Sequence, residues 1–172
     1  MPDNHQIFLG RQPILDRRQN IVAYELLFRS GQGSNANVLD DMSASAHVIT
    51  HAFTELDVAT VLGKHKGFIN VHDDLLMSDM LELLPKDKVV IELLETIQIT
   101  PEVIERCKDL KALGFTLALD DYTGLDVQFE PLFDLVEVIK LDYPLVDKNN
   151  LAGIVQRLKK WPVKLLAEKI ED

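Results

Sequence analysis

Thr100-Pro101-Glu102-Val103-Ile104-Glu105-Arg106-Cys107-Lys108-Asp109-Leu110-Lys111-Ala112-Leu113-Gly114-Phe115-Thr116-Leu117-Ala118-Leu119-Asp120-Asp121 holds one helix, one strand and a pair of acids. Thr100 suits an N-cap, Pro101 the first helical position, and Gly114 the residue that closes a helix. Val103, Ile104, Cys107 and Leu110 recur at helical spacing and give that helix an apolar face. Phe115 to Leu119 then runs as a short apolar strand of the kind covered on both faces, and ends in Asp120-Asp121.

The same alternation extends both ways. Downstream come a short helix over Val127 to Phe133, a strand over Val136 to Leu141, a helix over Leu151 to Lys160 and a strand over Val163 to Ala167. That second helix turns Leu151, Ile154, Val155 and Leu158 inward. Upstream, Lys88 to Leu93 and Gly67 to Val71 are strands, with a helix over Leu75 to Leu84 between them. A further helix starts near Leu39 with Met42, Ala46, Ile49 and Phe53 on one stripe. Gln6 to Ile14 and Gln19 to Phe28 are strands joined by a turn at Asp16-Arg17-Arg18, and so short a connection makes that first pair antiparallel. The rest is β-α-β order, which means an α/β fold with a parallel sheet under helices, either an open doubly wound sheet or a barrel. A complete eight-fold barrel takes ~250 residues. With seven strand candidates in 172 residues, the reading is a TIM-like (β/α) barrel, antiparallel at its first strand and lacking its last, over one domain, 1–172, truncated at its C-terminal end.

Composition bounds the function. Hydrophobic residues make up 47% and charged residues 27%, as in ordinary globular domains. The net charge of −10 argues against a nucleic-acid surface, which needs clustered Lys and Arg. No apolar run reaches the ~18 residues of a membrane span, and Met1 to Gln6 lacks a signal pattern, so the expected location is cytoplasmic. The lone Cys107 excludes an internal disulfide and reads as core. Gly31-Gln32-Gly33, in the Ser30 to Asn37 loop, is too short for a dinucleotide fingerprint. His47 and His51 have a zinc-like spacing without the accompanying Glu, and read as an ordinary helix face.

Polar residues recur where apolar runs end. Glu25 follows Ile-Val-Ala-Tyr, Asn70 follows Gly-Phe-Ile, Glu92 follows Val-Val-Ile, Asp120 and Asp121 follow Leu-Ala-Leu, Lys140 and Asp142 flank Leu141, and Glu168 follows Leu-Leu-Ala. In a parallel barrel those ends open on one face, where active sites lie. Carboxylates with an amide oxygen form a hard donor set suited to Mg²⁺ or Mn²⁺. Adjacent carboxylates repel without a cation and can serve two metals ~4 Å apart, and a nearby Lys can hold water or offset charge. Residue types and placement alone thus point to a two-metal phosphoryl hydrolase.

Tyr24-Glu25-Leu26-Leu27-Phe28-Arg29, Gln12-Pro13-Ile14, Ile69-Asn70-Val71, Ile91-Glu92-Leu93-Leu94-Glu95, Asp120-Asp121, Lys140-Leu141-Asp142 and Ala167-Glu168-Lys169-Ile170-Glu171 resemble, in order, the motifs of the EAL domain. That family hydrolyses cyclic di-GMP to a linear dinucleotide. The resemblance implies metal ligands at Glu25, Asn70, Glu92, Asp120 and Asp121, with Glu25 also catalytic. It implies a water-positioning Lys140, a catalytic Glu168 near the second metal, ligand contacts from Arg29, Gln12 and Asp142, and support of the following loop by Glu95. Phe8 to Ile14 resembles a subgroup in which a divergent EAL domain precedes an HDOD domain in bacterial signalling proteins. Two departures matter. Tyr122-Thr123-Gly124 is shorter than the family's loop after its Asp pair, and the eighth strand is lacking. They keep open a second reading, a catalytically degenerate module that binds nucleotide or a protein, and they imply weak turnover by this segment. An open barrel edge also implies a homodimer through that edge or its helices.

Overall fold

The computed structural model describes residues 7–30, 49, 53 and 57–170. Seven strands follow one another in hydrogen-bonded order through a single mixed sheet, as in an incomplete TIM-like barrel. They are β1 (Ile7–Leu15), β2 (Ile21–Ser30), β3 (Lys66–Val71), β4 (Val89–Leu93), β5 (Thr116–Tyr122), β6 (Val138–Asp142) and β7 (Lys164–Glu168). Among the described residues, four α-helices with stated bounds lie between them: α1 (Val58–Leu62), α2 (Asp73–Leu76), α3 (Pro101–Leu113) and α4 (Leu151–Leu158). The chain divides into two compact units, Met1–Val90 and Ile91–Asp172.

In the first unit β1 and β2 are antiparallel, with Gln12 opposite Glu25 and Ile14 opposite Ala23. The turn forms because Asp16 accepts from the backbone of Arg18 and Asn20, and because Gln19 takes a left-handed conformation. β3 then joins β2 in parallel, Glu25 in register with Phe68. The helix expected over Leu75 to Leu84 is two elements. α2 stops at Leu76, and the Ser78 hydroxyl accepts from Met80 N to begin a separate 3₁₀ turn, Asp79–Leu83. A serine there offers the backbone a local partner and so interrupts the helix. Of the stripe beginning at Leu39, Ile49 is buried and helical and Phe53 is helical. Ser30, expected to open a loop, ends β2, while the rest of that loop, the remainder of the helix, His47 and His51 lie outside the described residues.

The second unit follows its sequence signals closely. The Thr100 hydroxyl accepts from Val103 N at 3.3 Å, and Gly114 closes α3 at φ 98°. Val103, Cys107 and Leu110 are buried along the helix. β5, β6 and β7 are parallel neighbours. Their starting ends are tied by Glu137, whose carboxylate accepts from Leu117 N (2.8 Å) and Lys111 Nζ (2.6 Å), and whose carbonyl accepts from Lys164 N (2.8 Å). Tyr122, Phe133 and Trp161 pack edge to face, with ring centroids 5.5 and 5.0 Å apart, and give this core its aromatic wall.

Candidate active site around Lys140

In the parallel pairing of β5 with β6, Leu119 stands opposite Ile139 and Tyr122 opposite Leu141. Asp120 and Asp121 therefore share the place of one partner, Lys140. Two residues against one is a β-bulge, which re-aims side chains and recurs beside active sites. Asp121 meets the geometry by taking φ 44°, a conformation that costs a non-glycine residue of order 1 kcal/mol or more.

Lys140 is only 1% exposed, and three acids pair with its ammonium. Its ammonium lies 3.0 Å from Asp120 Oδ1 and 2.6 Å from Glu168 Oε1, and it also pairs with Glu92, which is wholly buried. β4, β5, β6 and β7 each deliver one member of this cluster. Burying an ion costs several kcal/mol, and replacing such groups by packed apolar ones is often neutral or stabilising. So many ionisable groups in one dry place are therefore better explained by chemistry than by stability. Burial pushes the Glu168 carboxyl up to about 8, and the adjacent Asp120 charge adds to this despite the opposing Lys140 ammonium.

A second ammonium stands beside the first. Lys169 Nζ donates to both Asp121 oxygens at 2.9 Å and to Asp142 Oδ2 at 2.6 Å. Burial alone would lower its pKa, but the two carboxylates outweigh that and hold it above the ordinary lysine range. Lys169 follows β7 at φ 53°, another left-handed non-glycine residue. The sequence motifs gave no notice of this role.

The loop after Asp121 is fastened. Arg157 of α4 donates to the Tyr122 hydroxyl and, at 2.7 Å, to the Gly124 carbonyl. Thr123 Oγ1 donates to Asp126 at 3.0 Å. Arg157 also lay outside the sequence motifs. Glu95, expected to support this loop, is exposed in the turn after β4.

The other expected site residues belong to the first unit. Glu25 lies inside β2 rather than at its end, and Gln12 is its cross-strand partner, so the two side chains share a face. Asn70 sits on β3, with its Oδ1 buried and lacking a hydrogen-bond partner among the described residues. Arg29 pairs with Phe8 in register, and its side chain lies outside the described residues.

Asp120, Asp121 and Glu168 each offer an oxygen, all within 4.8 Å of one another. Such a hard, oxygen-only set fits a divalent ion. Charge agrees with the donors. With Glu168 protonated, the four carboxylates of Glu92, Asp120, Asp121 and Asp142 face two ammonium groups, an excess of two negative charges. The orphaned amide oxygen of Asn70 is likewise of the kind that a donor or cation would satisfy. Among the described residues, no helix is long and apolar enough to cross a membrane.

No protein-family model matches the chain. It is 31% identical over 170 residues to the uncharacterized protein YuxH of Bacillus subtilis, covering 96% of this chain and 42% of YuxH. It is 30% identical over 168 residues to the cyclic di-GMP phosphodiesterase CdgJ of Vibrio cholerae, covering 95% of this chain and 38% of CdgJ. The chain thus spans about two fifths of the length of these curated relatives. Among solved structures it is similar to Klebsiella pneumoniae BlrP1 in complex with manganese and cyclic di-GMP, with TM-score 0.69 and 24% identity over 99% of this chain and 51% of that one. It is also similar to the Bacillus subtilis YkuI protein, with an EAL domain, in complex with cyclic di-GMP and calcium, with TM-score 0.72 and 19% identity over 96% of this chain and 49% of that one.

Proposed function

We propose that the chain is an EAL-type domain, a metal-dependent phosphodiesterase module that opens cyclic di-GMP to the linear dinucleotide, a reading supported by its likeness to CdgJ and to the cyclic di-GMP complexes of BlrP1 and YkuI. The observation that carries this reading is the buried ammonium of Lys140 paired with Glu92, Asp120 and Glu168, one acid each from β4, β5 and β7. Asp120, Asp121 and Glu92, with Glu25 and Asn70 of the first unit, are the residues proposed to hold Mg²⁺ or Mn²⁺. A divalent ion so bound supplies Lewis acidity at the phosphate and lowers the pKa of water.

The chain's own groups do the rest. Lys140 donates to the attacking water and offsets charge that grows on the phosphoryl oxygens. That water bonds to phosphorus as the bond to the ribose oxygen breaks; it gives up one proton to a carboxylate of the Asp120-Asp121 pair, and the departing oxygen takes one up. Glu168, kept protonated near neutrality by burial, is suited to hand one over. Arg29, Gln12 and Asp142 are proposed to hold the ligand, and Glu95 to steady the neighbouring loop. A second copy, held through the open barrel edge or the helices, and an attached HDOD domain belong to the same proposal.

Incubating cyclic di-GMP with Mn²⁺ and the chain, alone and within any longer protein that carries it, tests the reading. The linear dinucleotide should form, and Glu92→Gln and Asp120→Asn should abolish it. Product no greater than with those variants would sink the hydrolase. One observation favours the second reading, a regulatory module that binds nucleotide without cutting it: Lys169 sits on Asp121 and Asp142, where a catalytic cation would compete with it. Calorimetric binding of cyclic di-GMP without turnover would select that reading.

A further inference from the structure

We propose that Lys169 is a built-in cation that takes the place of a second divalent ion, so that the acidic site holds one metal ion tightly rather than two. This rests on the reading of the Asp120-Asp121 cluster as a metal site, and adds to it which position the chain fills by itself.

Three observations converge. The ammonium bridges two strand ends, with 2.9 Å to each Asp121 oxygen and 2.6 Å to Asp142 Oδ2, so both Asp121 oxygens already serve one cation. An ion approaching Asp121 must share or displace it. Asp142 is 3% exposed and its other oxygen accepts from Leu145 N, so this carboxylate does not swing away with the lysine. Asp120 and Glu168 pair with the Lys140 ammonium rather than with Lys169, which leaves their other oxygens as donors to a single ion.

The charges distinguish one ion from two. With Lys169 in place and Glu168 protonated, the four charged carboxylates exceed the two ammonium groups by two, which a single dication neutralises, and a second would leave two positive charges. Without the Lys169 ammonium the excess is three, so a second dication leaves only one. Unlike charges within ~4 Å interact strongly even where water screens them in part, so the lysine decides the second occupancy.

The test is titration of the full chain with Mn²⁺ alone, read by calorimetry and by the electron paramagnetic resonance of free Mn²⁺. The unaltered chain should take up one tight ion. Lys169→Gln and Lys169→Gly should each take up two, the second at least about tenfold tighter than any second ion on the unaltered chain. Glycine also suits the φ of 53°, so that variant is expected to fold even should the glutamine variant not. Lys169→Arg keeps the charge and should stay at one ion. Two tight ions on the unaltered chain, or one on both neutral variants, would overturn the proposal. Absence of Mn²⁺ binding by every chain would instead overturn the metal-site reading on which it rests.

Discussion

Lys140 Nζ stands 2.6 Å from Glu168 Oε1, but the same ammonium also serves Asp120 and Glu92, so three carboxylates share one buried cation. Lys140→Met keeps the length of the stem and removes the charge. Breaking a buried pair from one side costs about 3–5 kcal/mol, because the remaining charge stays in a dry place. Urea unfolding of the metal-free variant should show a loss of that size. Adding Glu92→Gln to it should recover part of the loss, a coupling of about 1 kcal/mol or more between the two sites. A Lys140→Met chain as stable as the original would mean that the cluster is compensated in some other way.

Gly124 carries the loop beyond the acid pair past α4. Its φ is +92°, and a Cβ there would fall 2.4 Å from Ile154 Cδ1 and 2.8 Å from its Cγ1. Gly124→Ala therefore combines left-handed strain with overpacking and should cost about 2 kcal/mol or more. Ile154→Ala in the same chain removes the overlap but not the strain, so the double variant should be less damaged than the two single losses predict. Arg157→Lys should loosen the same loop differently, since one ammonium does not reproduce the guanidinium fork that holds Tyr122 and Gly124. Hydrogen exchange should quicken at residues 122–124 in that variant. Unchanged exchange there would show that the loop is held without Arg157.

These residues also mark where the sequence could be read and where it could not. α3 was legible end to end, because Thr100, Pro101 and Gly114 act through bonds within a few residues of themselves. The acids at the ends of β4, β5 and β7 and the lysine of β6 were legible because strand ends in a parallel sheet converge. The bulge was not. It depends on how β5 registers against Lys140, and Asp121 at φ 44° carries no glycine to announce it. Lys169 was silent for a similar reason, since its partners Asp121 and Asp142 come from two other strands. α1 was missed because Val58–Leu62 is too short to show periodicity. Glu25, which closes the apolar run Ile-Val-Ala-Tyr, lies within β2, which runs on to Ser30 while it pairs with β1.

Cys107 is wholly buried on α3, and burial raises its thiol from 9.0 to about 11, against a small opposing effect of Arg106. The fold therefore holds the protonated thiol. Below the unfolded pKa, about 8.5, both states are protonated and the group gives no pH dependence. As pH rises from there towards 11, the unfolded chain gains by ionising and the folded chain does not, so stability falls. At pH 8 the native chain should fail to react with a disulfide reagent, and denaturant should release one thiol. Cys107→Ala should cost stability at pH 7, and the gap to the original should narrow above pH 9. A gap independent of pH would contradict the raised thiol.

Asn70 gives a test that separates folding from metal. Its Oδ1 is buried without a hydrogen-bond partner among the described residues, so the fold receives no return for desolvating it. Replacing a buried polar group by an apolar one of similar shape is close to neutral when no partner is stranded. Asn70→Leu should accordingly leave the metal-free chain within about 1 kcal/mol of the original in urea. A metal ligand has the opposite signature, because its loss appears only when the ion is present. If Asn70 is one, saturating Mn²⁺ should stabilise the original chain more than the variant, and a tenfold weaker site corresponds to about 1.4 kcal/mol of that linkage. Equal protection of both chains by Mn²⁺ would remove Asn70 from the ligand set. A large loss without metal would show instead that its amide group serves the fold.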